Sequence, residues 1–240
     1  MPRGERTVLE QLLFDGMREM GLDPSREGVS KLIPYLEMML DRNRSLNLTA
    51  VKDPDNAVRL HLLDALSLFQ ALQLSGRRVL DVGTGGGMPG VALALYEPSA
   101  RVTMLDATAK KLSFIREACE RLCIHAAFVN ARAEDYARTE AREGYDVVTA
   151  RAVAALPILC ELCLPLVRPG GCFVAYKGDA EEEIAASQRA VKLLGGAEIR
   201  THAYAIPGVD AARTLIIIKK DTRTPDQYPR TYAQIKKKPL

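Results

Sequence analysis

The run Asp81-Val82-Gly83-Thr84-Gly85-Gly86-Gly87-Met88-Pro89-Gly90 sets an acid at the end of a β-rich segment against a glycine turn that opens a helix. Glycines there supply positive φ and let bare backbone approach a ligand. A second acid, Asp106, closes the segment Val102-Thr103-Met104-Leu105-Asp106, 23 residues after Gly83. A carboxylate at that place can accept both hydroxyls of a ribose. The chemistry these residues suggest is the holding of a nucleoside.

Gly85 to Gly90 also fits the dinucleotide pattern G-x-G-x-x-G, but in that fingerprint the first glycine follows the strand directly. Here Gly83 does so, and the position five residues on is Met88. An acid two residues before the first glycine, such as Asp81, would repel a pyrophosphate and suits a cofactor with a cationic amino-acid end. S-adenosylmethionine is such a cofactor, so Asp81, Gly83, Gly85, Met88 and Asp106 form the first candidate set. Pyrimidine C5 chemistry needs a cysteine nucleophile in a Pro-Cys loop, which is missing. Exocyclic amines call for an Asn/Asp-Pro-Pro-aromatic loop, where this chain has Thr149-Ala150-Arg151-Ala152. A ring nitrogen with a free lone pair, such as guanine N7, requires only in-line positioning, worth roughly 7 to 11 kcal/mol in favourable cases. Arg151 could then bond a guanine edge or a phosphate, or form a surface ion pair.

The elements that must position these residues follow from periodicity. Val8, Leu9, Leu12, Leu13, Met17 and Met20 recur at helical spacing, as do Val29, Leu32, Ile33, Leu36, Met39 and Leu40, and then Leu62, Leu63, Leu66, Phe69 and Leu72. From residue 77 strands alternate with helices: Arg77 to Val82, helix from Pro89; Arg101 to Asp106, helix Ala109 to Leu122; Ala126 to Asn130; Tyr145 to Ala150, helix Leu156 to Val167; Gly171 to Lys177, helix Ala180 to Leu194. Ala197 to Ala205 and Thr214 to Lys219 form a closing hairpin through Pro207-Gly208. The expected fold is α/β, a Rossmann-like seven-stranded, mostly parallel methyltransferase sheet, with a helical N-terminal cap over 1–75, a core over 76–220 and a basic tail over 221–240.

Composition bounds the reading. The chain has 240 residues, 48% hydrophobic and 26% charged, with a net charge of +3, which describes a soluble globular protein. No apolar run reaches membrane-span length, and Met1-Pro2-Arg3-Gly4-Glu5-Arg6 has no apolar core of a signal peptide, so the expected location is the cytoplasm, with no membrane partner. Five cysteines make no disulfide framework, and the lone Cys160-Glu161-Leu162-Cys163 pair reads as buried packing rather than metal ligands. Nothing asks for a dimer, and a monomer is expected. From Lys219 to Leu240 seven basic residues stand against two acids. Such an arm is either solvated or a phosphate-neutralising contact, with Arg230, Lys236, Lys237 and Lys238 as candidates.

In Asn47-Leu48-Thr49-Ala50, His61-Leu62-Leu63-Asp64, Asp81 to Gly90, Asp106 with Lys110-Lys111, Arg132-Ala133-Glu134, Arg151-Ala152-Val153, Lys177-Gly178, Arg213, Tyr228-Pro229-Arg230 and Pro239-Leu240, the chain resembles the glucose-inhibited division protein B family, the guanine-N7 methyltransferases G of small-subunit ribosomal RNA. The resemblance covers nearly the whole chain. It implies methyl transfer from S-adenosylmethionine to N7 of one guanine, guanine 527, in the decoding-region loop of 16S rRNA, on the free RNA or in the 30S subunit. Gly83 and Met88 would line the cofactor pocket, Asp106 with Ala107 and Thr108 would hold the ribose, and Ala133 and Glu134 would border the adenine. Arg151 would lie beside cofactor and target base. Lys110, Lys111, Lys177 and Arg213 are similar to RNA-facing basic positions of the family, and Arg132 joins them as a basic residue at a strand end. Met88 stands where an aromatic residue or leucine is more usual. Residues alone leave two other readings open: a methyltransferase for a small molecule or protein, and a nicotinamide-dependent oxidoreductase using Gly85 to Gly90.

Overall fold

The computed structural model describes residues 3–240; Met1 and Pro2, part of the opening stretch read above for a signal peptide, lie outside it. Seven strands form one sheet: β1 (Arg78–Val82), β2 (Arg101–Asp106), β3 (Ala127–Asn130), β4 (Tyr145–Arg151), β5 (Val167–Lys177), β6 (Gly196–Ile206) and β7 (Val209–Lys220). Their order is β3-β2-β1-β4-β5-β7-β6. The neighbours from β3 to β5 pair in parallel, and β7 pairs antiparallel with both β5 and β6. The hairpin expected from Pro207-Gly208 is therefore present, with its second strand inserted next to β5. The strand order reverses between β1 and β4, and ligands of open α/β sheets bind at such a switch point.

Helices cover both faces. On one face lie α1 (Arg3–Glu19), α2 (Leu32–Leu46), a broken helical run made of α3 (Pro54–Ala57), a π-helical stretch Val58–Leu63, α4 (Asp64–Leu66) and the 3-10 turn Ser67–Gln70, together with α5 (Gly90–Tyr96) and α6 (Ala109–Arg121). Leu13, Met17, Leu36 and Leu63 of the N-terminal helices share one core with Val79, Met104 and Val147 of the sheet. The first 75 residues thus have no core of their own; their apolar faces are completed by the sheet. Val8, expected on the buried face of α1, is 62% exposed. Its neighbours Leu9 and Leu13 supply the contact instead.

The other face carries α7 (Ala133–Tyr136), α8 (Leu156–Cys163), α9 (Glu181–Leu193) and α10 (Tyr232–Lys237) around Leu80, Val148, Phe173 and Ile216. The helix expected over Leu156 to Val167 ends at Cys163, and Leu164–Leu166 is a 3-10 turn. Pro165 explains this, since it has no N–H to continue an α-helical ladder. Cys160 and Cys163 are buried in this layer; burial pushes the Cys160 thiol up to about 12 and raises Cys163 well above the usual thiol range. Thiols of this kind are inert packing groups. The residues after β7 are folded onto the domain: Arg142 donates to the carbonyls of Thr224 and Tyr228, and Ile235 is fully buried.

Candidate active site

The turn after β1 is the hinge of the site. Gly83 has φ +69°, and a Cβ there would lie 2.6 Å from Val153 Cγ2, so a side chain would collide with the loop that follows β4. Beneath the turn, Asp81 is fully buried. One oxygen accepts the Gly90 N–H at 3.0 Å and the other accepts the Thr149 hydroxyl at 3.1 Å, which fixes the start of α5. A Cβ on Gly90 would sit only 3.0 Å from the same carboxylate. Burial pushes the Asp81 carboxyl above the usual carboxylate range, opposed by these hydrogen bonds and the nearby Arg151 charge. Asp81, expected to face a cationic cofactor end, is thus turned inward as a brace of the turn. Met88 is likewise packed into the helical-face core at 5% exposure. From the helical layer the Tyr35 hydroxyl donates to Gly86 O at 2.9 Å, a support no local pattern announces.

Beside the turn a cleft of about 240 Å³ is lined by Gly83, Asp106, Ala107, Thr108, Ala133 and Glu134, with Arg132, Val153 and Tyr232 at its rim. Asp106 Oδ2 accepts Gly85 N–H at 3.0 Å and Oδ1 accepts Thr108 N–H at 2.8 Å. A carboxylate has about four lone-pair sites, so each oxygen keeps one for a ligand hydroxyl. Glu134 is 7% exposed, lines the same cleft, and its carboxylate has no hydrogen-bond partner among the described residues. Two carboxylates over a glycine turn form a cradle for hydrogen-bond donors such as ribose hydroxyls and an amine. A wider depression of about 840 Å³ on the outer side of the helical layer mixes acids Glu5, Glu37 and Asp41 with bases Arg44, Lys52 and Arg121, and contains no strand end or glycine turn.

On the opposite face of the switch point a polar network surrounds Arg151. Val82 pairs with Ala150, so Gly83 and Arg151 are side by side on the carboxyl edge of the sheet. Arg151 Nη1 donates to Asp64 Oδ2 at 2.9 Å and to Leu60 O at 3.0 Å, and Nη2 lies 3.4 Å from His61 Nδ1. Asp64, 2% exposed, also accepts the Tyr204 hydroxyl at 2.8 Å, with Arg213 Nη1 4.0 Å away. Burial and the Arg151 charge lower the His61 pKa to about 4, so the ring is neutral near pH 7. Arginine only donates; His61 Nδ1 is therefore the acceptor, and Nε2–H donates to Thr49 Oγ1 at 2.8 Å. Thr49 Oγ1 also accepts Val51 N–H at 3.0 Å, and its hydroxyl proton has no acceptor among the described residues. Leu60 and His61 of this network lie in the π-helical stretch Val58–Leu63, and Asp64 follows it directly; such stretches are common at functional sites.

The remaining basic candidates divide by their partners. Lys110, Lys236, Lys237 and Lys238 are exposed and Lys111 is half-buried; none of them forms an ion pair among the described residues. Lys177 is held by Glu183 at 2.7 Å and Ala154 O at 2.9 Å. Arg213 is partly buried towards Asp64, and its Nε has no partner among the described residues. Arg230 grips the fully buried Glu161 through Nε at 2.9 Å and Nη2 at 2.6 Å, so its charge is spent inside the protein. Arg132 lies over the ring of Tyr232, 5.6 Å from its centroid. Nothing in the sequence pattern marks Tyr204, Glu161 or Tyr232, all of which act across long chain separations. The i, i+3 spacing of His61 and Asp64 is the one local signal for the Arg151 network.

A seven-stranded sheet of this order with a glycine turn and a strand-end acid at its switch point is the Rossmann-like fold of the class I methyltransferases. Solved structures with this architecture include a SAM-dependent O-methyltransferase from Thermotoga maritima (TM-score 0.50, 14% identical, covering 78% of this chain and 73% of that one) and TYW2 from M. jannaschii in complex with AdoMet (TM-score 0.51, 13% identical, covering 62% and 71%). The model of the GidB family, rRNA small subunit methyltransferase G, matches residues 28–210. The chain is 40% identical over 238 residues to the ribosomal RNA small subunit methyltransferase G of Pelotomaculum thermopropionicum, covering 98% of this chain and all of its relative, and 37% identical over 234 residues to that of Acetivibrio thermocellus, covering 97% of each. The chain belongs to the rRNA small subunit methyltransferase G family.

Proposed function

We propose that this protein transfers a methyl group from S-adenosylmethionine to N7 of guanine 527 in 16S rRNA. The observation that carries the reading is the division of one sheet edge: a carboxylate cradle on one side of Gly83 and, on the other, an arginine locked by Asp64 and a neutral histidine. In this reading Asp106 holds the ribose, with Ala107 and Thr108 beside it, and Ala133 and Glu134 border the adenine. When bound, the cofactor supplies an electrophilic methyl on a sulfonium. Among the described residues Arg151 Nε–H and one Nη2–H have no acceptor; either would hold guanine O6 and leave the N7 lone pair unused. Transfer to N7 would exchange the S–C bond for an N–C bond and move the positive charge from sulfur to the base with no proton to remove, so Arg151 and Asp106 would act by orienting the two partners. The site then needs orientation and no general base.

Lys110, Lys111 and the lysines of α10 are free to meet phosphates, whereas Lys177 and Arg213 shape the edge through their internal partners. The test is incubation of the purified protein with methyl-labelled S-adenosylmethionine and 30S subunits or 16S rRNA lacking this modification. Label recovered as 7-methylguanosine at guanine 527 supports the reading. Cofactor binding with no transfer to either RNA substrate refutes it and favours a small-molecule or protein acceptor.

A further inference from the structure

The last segment of the chain, whose charge suits either a solvated arm or an RNA-contacting one, is built into the wall of the cleft. Arg138 Nη2 donates to Pro229 O at 2.6 Å, Arg142 Nη1 donates to Tyr228 O at 2.8 Å, and Arg230 pairs with Glu161, whose neighbour Leu162 lines the cleft. The Arg230 N–H also donates to Glu161 Oε1 at 2.8 Å, so the chain is fixed two residues before Tyr232. Ile235, fully buried, anchors the next turn. Between these anchors the half-buried Tyr232 has its ring on the cleft. Its cationic partner is Arg132, the residue before Ala133 and Glu134, so the ring is tied to the segment expected to border an adenine.

We propose that α10 closes the nucleoside end of the cofactor cleft and that Tyr232 is the aromatic wall against which the purine of the cofactor rests. The inference rests on the cofactor reading above. It explains why Tyr228-Pro229-Arg230 is fastened so firmly, because the pairing of Arg230 with the fully buried Glu161 sets the ring instead of binding RNA. It also moves Arg132 from the RNA-facing set to the cofactor side. The lysines at the end of the same helix remain outward, so one short element has a cofactor face and an RNA face.

The chain contains no tryptophan, so Tyr232→Trp introduces a single indole at the proposed wall. Titration with S-adenosylhomocysteine should change its fluorescence saturably, at the midpoint given by calorimetry. Methylthioadenosine should do the same and homocysteine should not, because the wall is for the purine. Ala233→Trp, on the exposed neighbour, should stay unchanged. Tyr232→Ala should weaken both purine ligands about tenfold, as loss of base stacking does, and Tyr232→Phe should stay within about twofold. Calorimetric binding to the wild type with no fluorescence response at position 232 and unchanged affinity in Tyr232→Ala would overturn the inference alone. No binding of S-adenosylhomocysteine to the wild type would overturn the cofactor reading, and this inference with it.

Discussion

The two sides of the switch point are built by different means. The carboxylate cradle of the cleft is assembled from short stretches of chain, with Asp106 reaching Thr108 two residues on and Gly85 21 residues back and the glycine turn following its own strand, and only the α10 wall comes from far away. The Arg151 side is assembled from distance, with Asp64 meeting residues 87 and 140 positions away. A cofactor shared by many enzymes can be held by a portable local motif, while the acceptor demands a pocket that only the whole fold supplies. The two sides should therefore fail separately.

The sharpest break is Asp64→Leu. It leaves Arg151 without its carboxylate and Tyr204 without an acceptor, both in a buried setting. Breaking such a pair costs about 3 to 5 kcal/mol, so urea denaturation should show a loss of that order. Methyl transfer to rRNA should fall below detection, while the folded fraction still binds S-adenosylhomocysteine within a few-fold of wild type. Parallel loss of cofactor affinity would show that the two sides act as one. Asp106→Ala is the converse. It removes acceptors for Gly85 and Thr108 as well as the two proposed ribose bonds, each worth about 1.5 to 3 kcal/mol before water compensates. Cofactor affinity in calorimetry should drop at least tenfold, with rRNA binding retained; unchanged affinity would remove Asp106 from the ribose site.

The same division explains what can be read from the sequence. β1 to β5, the glycine turn and the strand-end acids are legible because burial period, turn chemistry and short connections are local properties. The insertion of β7 between β5 and β6 is not, since a hairpin signal says which strands pair and not which one meets the older sheet. Asp81 reads as a ligand residue because of its charge, yet its side chain is on the face that packs under α5 and bonds Gly90. Arg230 reads as one of the tail's free charges, and only the fold shows that Glu161 lies beneath it. Residues whose partners lie far away in the chain have no period to betray them. Resemblance to a family locates His61 and Asp64 but not their geometry.

A pH series sharpens the comparison further. His61 is held at about pH 4 against an ordinary 6.5, so the unfolded chain binds a proton that the native chain refuses between those values. The corresponding stability is complete above about pH 6.5, declines as pH falls towards about 4, and is constant below that. His61→Asn should flatten this part of a stability profile measured by urea denaturation. In single-turnover methylation His61 stays neutral at and above about pH 6, and with no proton transfer in the step the rate should be level from about pH 6 to 8.5. A bell-shaped profile in that range would introduce a general base and break the positioning reading.

The smallest effect tests whether α10 truly serves both sides. Lys236, Lys237 and Lys238 are exposed and make no ion pairs among the described residues, whereas Tyr232 and Ile235 face inward. Replacing Lys236 and Lys237 of α10 and Lys238 at its C-cap with alanine keeps the helix propensity of the last turn and removes three charges. Each lysine that meets a phosphate should contribute about one to the slope of log binding constant against log salt. Filter binding to 16S rRNA should thus show a slope shallower by up to about three, while calorimetry with S-adenosylhomocysteine remains at the wild-type value. An unchanged slope would leave α10 with the cofactor face alone, and the RNA contact would fall to Lys110 and Lys111 in the first turn of α6. A shallower slope together with weaker cofactor binding would mean that the two faces of the helix are energetically coupled, so that RNA docking itself tightens the wall around the purine.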